Sequence, residues 1–235
     1  MLNQLQPSIR LNKFLAERLG VSRREADNLI SSGKITVNRK TATLGTKIDK
    51  KSKVFYNNKL VPYETSYSYI AFHKPIGYVC SRHAQGNTPT IYELLPEQFR
   101  QLKTVGRLDK NSSGLILLTN DGDFAYQMTH PKFHKTKIYE VELNRVLEPL
   151  HQQMISDFGV LLDDGPSKFL VIHDDSVSQS HYIVKLTEGR NRQIRRTFAA
   201  LGYKVTKLHR THFGKYELGN LASGKYDIIK LWTLF

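Results

Sequence analysis

Residues Lys137 to Leu143 alternate strictly in character, which sends Ile138, Glu140 and Glu142 to one side of an extended chain and Tyr139, Val141 and Leu143 to the other. This predicts a strand with one buried face. Tyr139 belongs to the apolar set, so it packs in a core unless a site lies beside it, in which case it offers an aromatic wall with a polar tip. Strands are also predicted at Tyr67 to Phe72, Leu115 to Thr119, His181 to Leu186 and Tyr203 to Arg210, the last presenting Val205 and Lys207 opposite Thr206 and Leu208. The run from Tyr69 to Val79 is interrupted by a turn at Pro75 and Gly77, and a polar loop follows from Arg82 to Thr88.

The first quarter has a different character. Residues 1 to 64 hold thirteen Lys or Arg against five Asp or Glu, an excess of eight in a chain whose net charge is +14. Leu11, Phe14, Leu15 and Leu19 recur at helical spacing, with Arg10, Lys13 and Arg18 off that stripe and Gly20 at its end. Ser22-Arg23-Arg24-Glu25 is a capping-box pattern opening a second helix that Gly33 closes. Ile35 to Asn38 reads as a strand, and Lys47 to Val61 supplies more strand with a turn at Asn57-Asn58. Pro62 to Ser66 breaks the pattern, which places the domains at 1–66 and 67–235. A chain of 235 residues can bury two modest cores.

Clustered cations point to a polyanionic partner, with nucleic acid first among them. The single Cys80 cannot close an intrachain disulfide, and the chain opens with no export signal, so a cytoplasmic protein is expected. No apolar run is long enough for a membrane span. His130, His134, His209 and His212 lack the Cys or acidic partners of a metal site, so none is expected. Asp121, Asp123, Asp163 and Asp164 sit beside glycines and read as turn formers.

Chemistry centres on Val105 to Asp123. Here Asp109, between Arg107 and Lys110, lies in a short polar stretch between apolar runs, with bends expected at Gly106 and Gly114. That carboxylate suits either a reachable acid or a simple turn cap. Farther on, Arg190, Arg192, Arg195 and Arg196 crowd the start of a helix whose buried stripe is Ile194, Phe198 and Leu201, with Arg192, Arg195 and Arg196 on an adjoining face. Such guanidinium groups can bind phosphates, or one can pair with a buried carboxylate.

The order of helix, basic turn, helix and Gly33 to Asn38 resembles the RNA-binding domain named after small-subunit ribosomal protein S-four. The resemblance implies that Arg10, Lys13, Arg23, Arg24 and Lys34 face RNA. Gly106-Arg107-Leu108-Asp109 with Ser113-Gly114-Leu115, then Lys137 to Val141, Glu188 to Arg196, and Lys207-Leu208-His209-Arg210, resemble in order the pseudouridine synthases of the RsuA/RluB branch. That resemblance implies an α+β chain in which a small S-four-like domain precedes a catalytic domain with a mixed, mostly antiparallel sheet. It implies isomerisation of uridine in ribosomal RNA, without cofactor, by a monomer. By it Asp109 is the catalytic acid, Tyr139 stacks on the base, Arg195 pairs with Asp109, Leu208 packs against the pocket, and Arg107 fills the place of the extruded base. Arg190, Arg192 and Arg196 are RNA contacts. Thr187 to Arg192 and Asp163 to Pro166 look most like the large-subunit members. A non-catalytic RNA-binding or ribosome-assembly factor, and an enzyme acting on small-subunit rRNA or tRNA, are the alternatives.

Overall fold

The computed structural model describes residues 8–64, 66–82 and 86–230. Two compact units emerge, one ending at Ser68 and taking in Asn120–Gly122, the other made of Tyr69–Thr119 and the chain from Asp123 onward. Parts of the expected linker and of the Arg82 to Thr88 loop, residue 65 and residues 83–85, lie outside the described residues.

In the first unit the helices are Leu11–Arg18 and Arg23–Ser31. The capping box forms as the sequence predicts: Glu25 N donates to Ser22 Oγ at 3.1 Å and Ser22 N donates to Glu25 Oε2 at 2.6 Å. Leu11, Phe14, Leu15, Ala26 and Ile30 pack with Ile35 and Val54 of a small antiparallel sheet. Asn57 and Asn58 both take positive φ, at 47° and 61°, the conformation of a two-residue turn between strands Val54–Tyr56 and Lys59–Leu60. Arg23 donates to Asn12 Oδ1 at 3.2 Å and Asn12 donates to Asp27 at 2.9 Å, a polar link between the helices. Arg10, Arg24 and Lys34 are exposed, and Lys13 lies 4.0 Å from Glu17.

The second unit is built on a nine-stranded sheet. Its main path runs Leu170–His173, His181–Leu186, Lys137–Leu143, Val205–Phe213, Ser113–Thr119, Tyr69–Lys74, Tyr226–Ile228, with Lys103–Val105 and Tyr216–Glu217 attached beside it. Every pairing is antiparallel except that of Val205–Phe213 with Ser113–Thr119, which spans only His209 to Ser113 and Arg210 to Gly114. Leu115 to Leu118 are buried throughout because the strand has core on both faces. Ile116 and Leu118 join Ile70, Phe72 and Phe198 on one side, and Leu115 and Leu117 join Val105, Met128 and Phe213 on the other. No helix among the described residues is long and apolar enough to cross a membrane.

Three local expectations change. The first strand runs Tyr69–Lys74 rather than from Tyr67, since its ladder with Ser113–Thr119 pairs Tyr69 with Thr119 and Lys74 with Gly114. The simple alternation of Val205 to Leu208 is broken, because Leu143 pairs with Val205 while Glu142 pairs with Lys207. The extra residue, Thr206, is a bulge, and it puts Val205 and Leu208 together in the core. Gly114 is no bend: it sits inside the Ser113–Thr119 strand with φ +106°, and a Cβ there would lie 2.2 Å from the Arg210 carbonyl oxygen. Glycine is required because a neighbouring backbone passes against it.

Candidate active site

The Asp109 turn is fixed through its backbone. Gly106, at φ +71°, lets the chain leave strand Lys103–Val105, and Ser112 N donates back to the Asp109 carbonyl at 3.1 Å. Beneath it lies Lys74, which continues the buried face of Ile70 and Phe72 and is itself fully buried. Its Nζ donates to the carbonyls of Ser112 at 2.7 Å, Pro75 at 2.9 Å and Lys110 at 3.4 Å. Burial lowers the Lys74 pKa to about 8, with Cys80 and Asp109 opposing the shift. From the other side Arg195 donates to the carbonyls of Asn111 at 2.7 Å and Val205 at 2.8 Å. Two cations therefore grip the turn by its peptide oxygens and leave the carboxylate outside their hydrogen bonds.

The expected Arg195 to Asp109 ion pair does not form. The guanidinium within ion-pair range of Asp109 is that of Arg192, whose Nη1 lies 3.6 Å from Oδ2. Arg192 caps helix Gln193–Ala200 in the left-handed region, φ +48°, so it is not on the helix face with Arg195 and Arg196. That backbone reversal aims it at the carboxylate. Burial lowers the Arg195 pKa, the Arg192 charge adds to the fall, and the Asp109 charge opposes it. Asp109 thus acts on Arg195 through space.

A cleft of about 410 Å³ opens above this turn, lined among others by Asp109, Tyr139, Arg192, Leu208 and Arg210. Tyr139 and Leu208 come from adjacent antiparallel strands, with Tyr139 paired to Arg210 and Val141 to Leu208. Arg210 is 2% exposed. It donates through Nε to the Leu115 carbonyl at 2.7 Å and through Nη1 to Tyr139 Oη at 3.4 Å, so it holds the aromatic wall from behind. Lys137 also lines the cleft and donates to the Glu188 carbonyl at 3.2 Å. Burial lowers its pKa to about 8, aided by the Arg210 charge and opposed by Glu188. The carboxylates lining the cleft are Asp109 and Glu188. Glu188 accepts from Gln193 and lies 3.7 Å from Arg190, whereas the Asp109 carboxylate is met by Arg192 alone and accepts no hydrogen bond among the described residues.

The remaining arginines are differently placed. Asp164, expected from sequence to be a turn former, clamps two of them: Arg190 Nη1 lies 2.8 Å from its Oδ1 and Arg196 Nη2 2.7 Å from its Oδ2. The Arg196 hydrogen bond and the two positive charges hold the Asp164 carboxyl below the usual carboxylate range. Arg190 further donates to the carbonyls of Gly165 and Pro166, so both side chains tie the helix start to the hairpin of strands Val160–Leu162 and Gly165–Ser167. Arg192 carries the exposed charge of this group at the cleft. Arg107 lies at the cleft wall and is exposed.

Sequence reasoning passes over Lys74 and Arg210. A signal exists for each: Lys74 follows Ile70 and Phe72 at strand spacing, and Arg210 follows Leu208, so each basic residue falls on a buried face.

Residues 68–200 match the RNA pseudouridylate synthase family and residues 9–54 the S4 domain. The chain is 39% identical to ribosomal small subunit pseudouridine synthase A of Pasteurella multocida, over 93% of this chain and 94% of that protein. It is 35% identical to ribosomal large subunit pseudouridine synthase B of Salmonella typhi, over 90% of this chain and 75% of that protein. A crystal structure of a pseudouridylate synthase superposes with a TM-score of 0.67 at 31% identity, covering 94% of this chain and 96% of that one. With Asp109 and Tyr139 in its matched segment and the S4 domain ahead of it, the chain belongs to the RNA pseudouridylate synthase family.

Proposed function

We propose that the protein converts uridine to pseudouridine in ribosomal RNA, with residues 1–66 capturing RNA and residues 67–235 carrying out the reaction. The observation that carries the reading is Asp109, held by its turn in the wall of a cleft that Tyr139 and Leu208 also line. The reaction breaks the bond from C1′ to N1, turns the ring, joins C1′ to C5 and moves the C5 proton to N1, so neither oxidant nor reductant is consumed. The target nucleotide must leave its stack, and its base must be held while detached. Tyr139 supplies an aromatic wall and Leu208 an apolar one. Asp109 attacks the ribose or ring, or removes a ribose proton, and Arg107 stands where the extruded base had been. Relatives named for either ribosomal subunit match at similar identity. Transcripts of both rRNAs are therefore the substrates to test, with pseudouridine mapped by carbodiimide modification and primer extension. A stop at one uridine, present with enzyme and missing without it, supports the reading, and no new stop in either transcript overturns it.

Arg192 and Arg195 separate by function. Arg195→Ala removes two charged hydrogen bonds to peptide carbonyls, each worth roughly 1.5–3 kcal/mol, so both the melting temperature and turnover should fall. The Arg192 side chain is 48% exposed, so Arg192→Ala should leave the melting temperature within a few degrees while weakening RNA binding. Thermal melts beside single-turnover kinetics check this, and equal melting temperatures for the two variants would contradict it.

The first unit should act through phosphates. Because Arg23 is committed to Asn12, Arg24→Glu with Lys34→Glu is the cleaner charge reversal. RNA affinity should fall, and the slope of log affinity against log salt should flatten by ~0.7 to 0.9 for each phosphate no longer neutralised. An unchanged slope would remove these residues from the RNA face.

A further inference from the structure

An aromatic cluster with no part in the chemistry above borders the cleft. Helix Gly122–Thr129 is followed by a tight turn at Pro131–Phe133. Together they assemble Tyr126 with His130, ring centroids 4.7 Å apart, and Tyr126 with Phe133, 5.7 Å apart and nearly perpendicular. Lys132 Nζ lies 5.1 Å from the Tyr126 ring centre and 4.7 Å from that of Phe133. The backbone of the turn is set by Pro131 and by Lys132 N donating to His130 Nδ1 at 3.3 Å, so the rings are presented in a defined arrangement. Tyr126 is nevertheless 45% exposed, and His130 is exposed too.

Position makes the exposure informative. Thr129 and Pro131, interleaved with these aromatics, line the same cleft as Asp109. The helix end abuts the Asp109 turn, since a Cβ on Gly106 would lie 3.6 Å from Thr129 Cγ2, and exposed Arg107 follows Gly106 directly. Aromatic faces mixed with cations beside a basic cleft are the combination that binds unstacked bases: the ring supplies a sequence-tolerant stacking surface and the cation attracts the neighbouring phosphate.

We propose that Tyr126, His130 and Phe133, with Lys132, form a stacking platform for an unpaired base of the substrate RNA adjacent to the nucleotide in the cleft. This rests on the RNA-modifying reading above. It adds a binding site for a second nucleotide, which would help keep the target extruded by giving a displaced neighbour somewhere to stack.

The test pairs a protein change with an RNA change. Full-length wild type and the Tyr126→Ala/His130→Ala double variant are compared on the modified rRNA fragment, intact and with an abasic nucleotide at each position flanking the target uridine. For wild type, one abasic substitution should weaken binding by about tenfold, within the range for a base stacked on an aromatic side chain. The double variant should lose about tenfold on intact RNA and be indifferent to that abasic site. Tyr126→Phe should restore binding. Losses that simply multiply, or a double variant that binds intact RNA like wild type, overturn the platform. A melting temperature matching wild type excludes misfolding as the cause. If wild type modifies no rRNA fragment, the rRNA reading fails. If wild type also binds none, the platform falls with it.

Discussion

Asp109→Asn is expected to lower pseudouridine formation by roughly ten-thousand-fold or more, the order lost when one member of a cooperating catalytic set is removed. The amide keeps the size and shape of the carboxylate but cannot act as nucleophile or base at neutral pH. Fold and RNA affinity should survive, because the turn is held by Lys74 and Arg195 through the carbonyls of Ser112, Pro75, Lys110 and Asn111 rather than through the Asp109 side chain. The ion pair with Arg192 that the variant lacks is partly exposed, with the Asp109 side chain 32% accessible, so its contribution to stability is ~1 kcal/mol or less. Single-turnover assays on the modified rRNA fragment, with affinity measured in parallel, check both halves. Turnover within tenfold of wild type would remove Asp109 from the reaction, and Glu188 would become the acid to test next.

Gly114→Ala should be among the most damaging single substitutions in the catalytic unit although it adds one methyl group. The new Cβ would lie 2.2 Å from the Arg210 carbonyl oxygen and 2.6 Å from Arg210 N, both backbone atoms that cannot rotate away. The strand pairing of Arg210 with Gly114 would have to open, and with it the link between Ser113–Thr119 and Val205–Phe213. A destabilisation of ~4 kcal/mol is expected, above the ~1–3 kcal/mol usual for overpacking because the clash is with backbone atoms and the alanine would also have to hold φ at +106°. Because Leu208 and Arg210 ride on the displaced strand, activity should be lost even where the chain still folds. Gly106→Ala is the control: its φ is also positive, at +71°, but its nearest atom would be Thr129 Cγ2 at 3.6 Å, an ordinary separation. That variant bears only the cost of a left-handed alanine, ~1–2 kcal/mol. Urea denaturation of the two proteins should separate them clearly. Equal midpoints would mean that the close approach at Gly114 is readily relieved.

Both variants touch features that are only half legible in the amino acids. Composition and resemblance place Asp109 in the right loop, and the turn at Gly106 follows from local conformational preference. Gly114 reads as a bend because glycine in a short polar stretch most often makes one. In fact a strand some hundred residues away needs the space, and no window around Gly114 contains that information.

The same division runs through the whole molecule. By itself the sequence determined whatever depends on neighbours within a few residues: the Ser22 and Glu25 capping box, the Asn57-Asn58 turn, the buried Tyr139, Val141 and Leu143 face, and the types of residue gathered around the cleft. Tertiary structure decided the partners. Asp109 faces Arg192 rather than Arg195, Asp164 binds Arg190 and Arg196 instead of merely turning the chain, and Lys74 and Arg210 are buried where a side chain of either type is usually solvated. The physical reason is one of range. Periodicity, capping and turn preference are properties of consecutive residues, whereas an ion pair or a carbonyl bound by a buried cation depends on where distant strands meet. A one-residue bulge such as that at Thr206, or one left-handed residue such as Arg192, is enough to change which charge arrives.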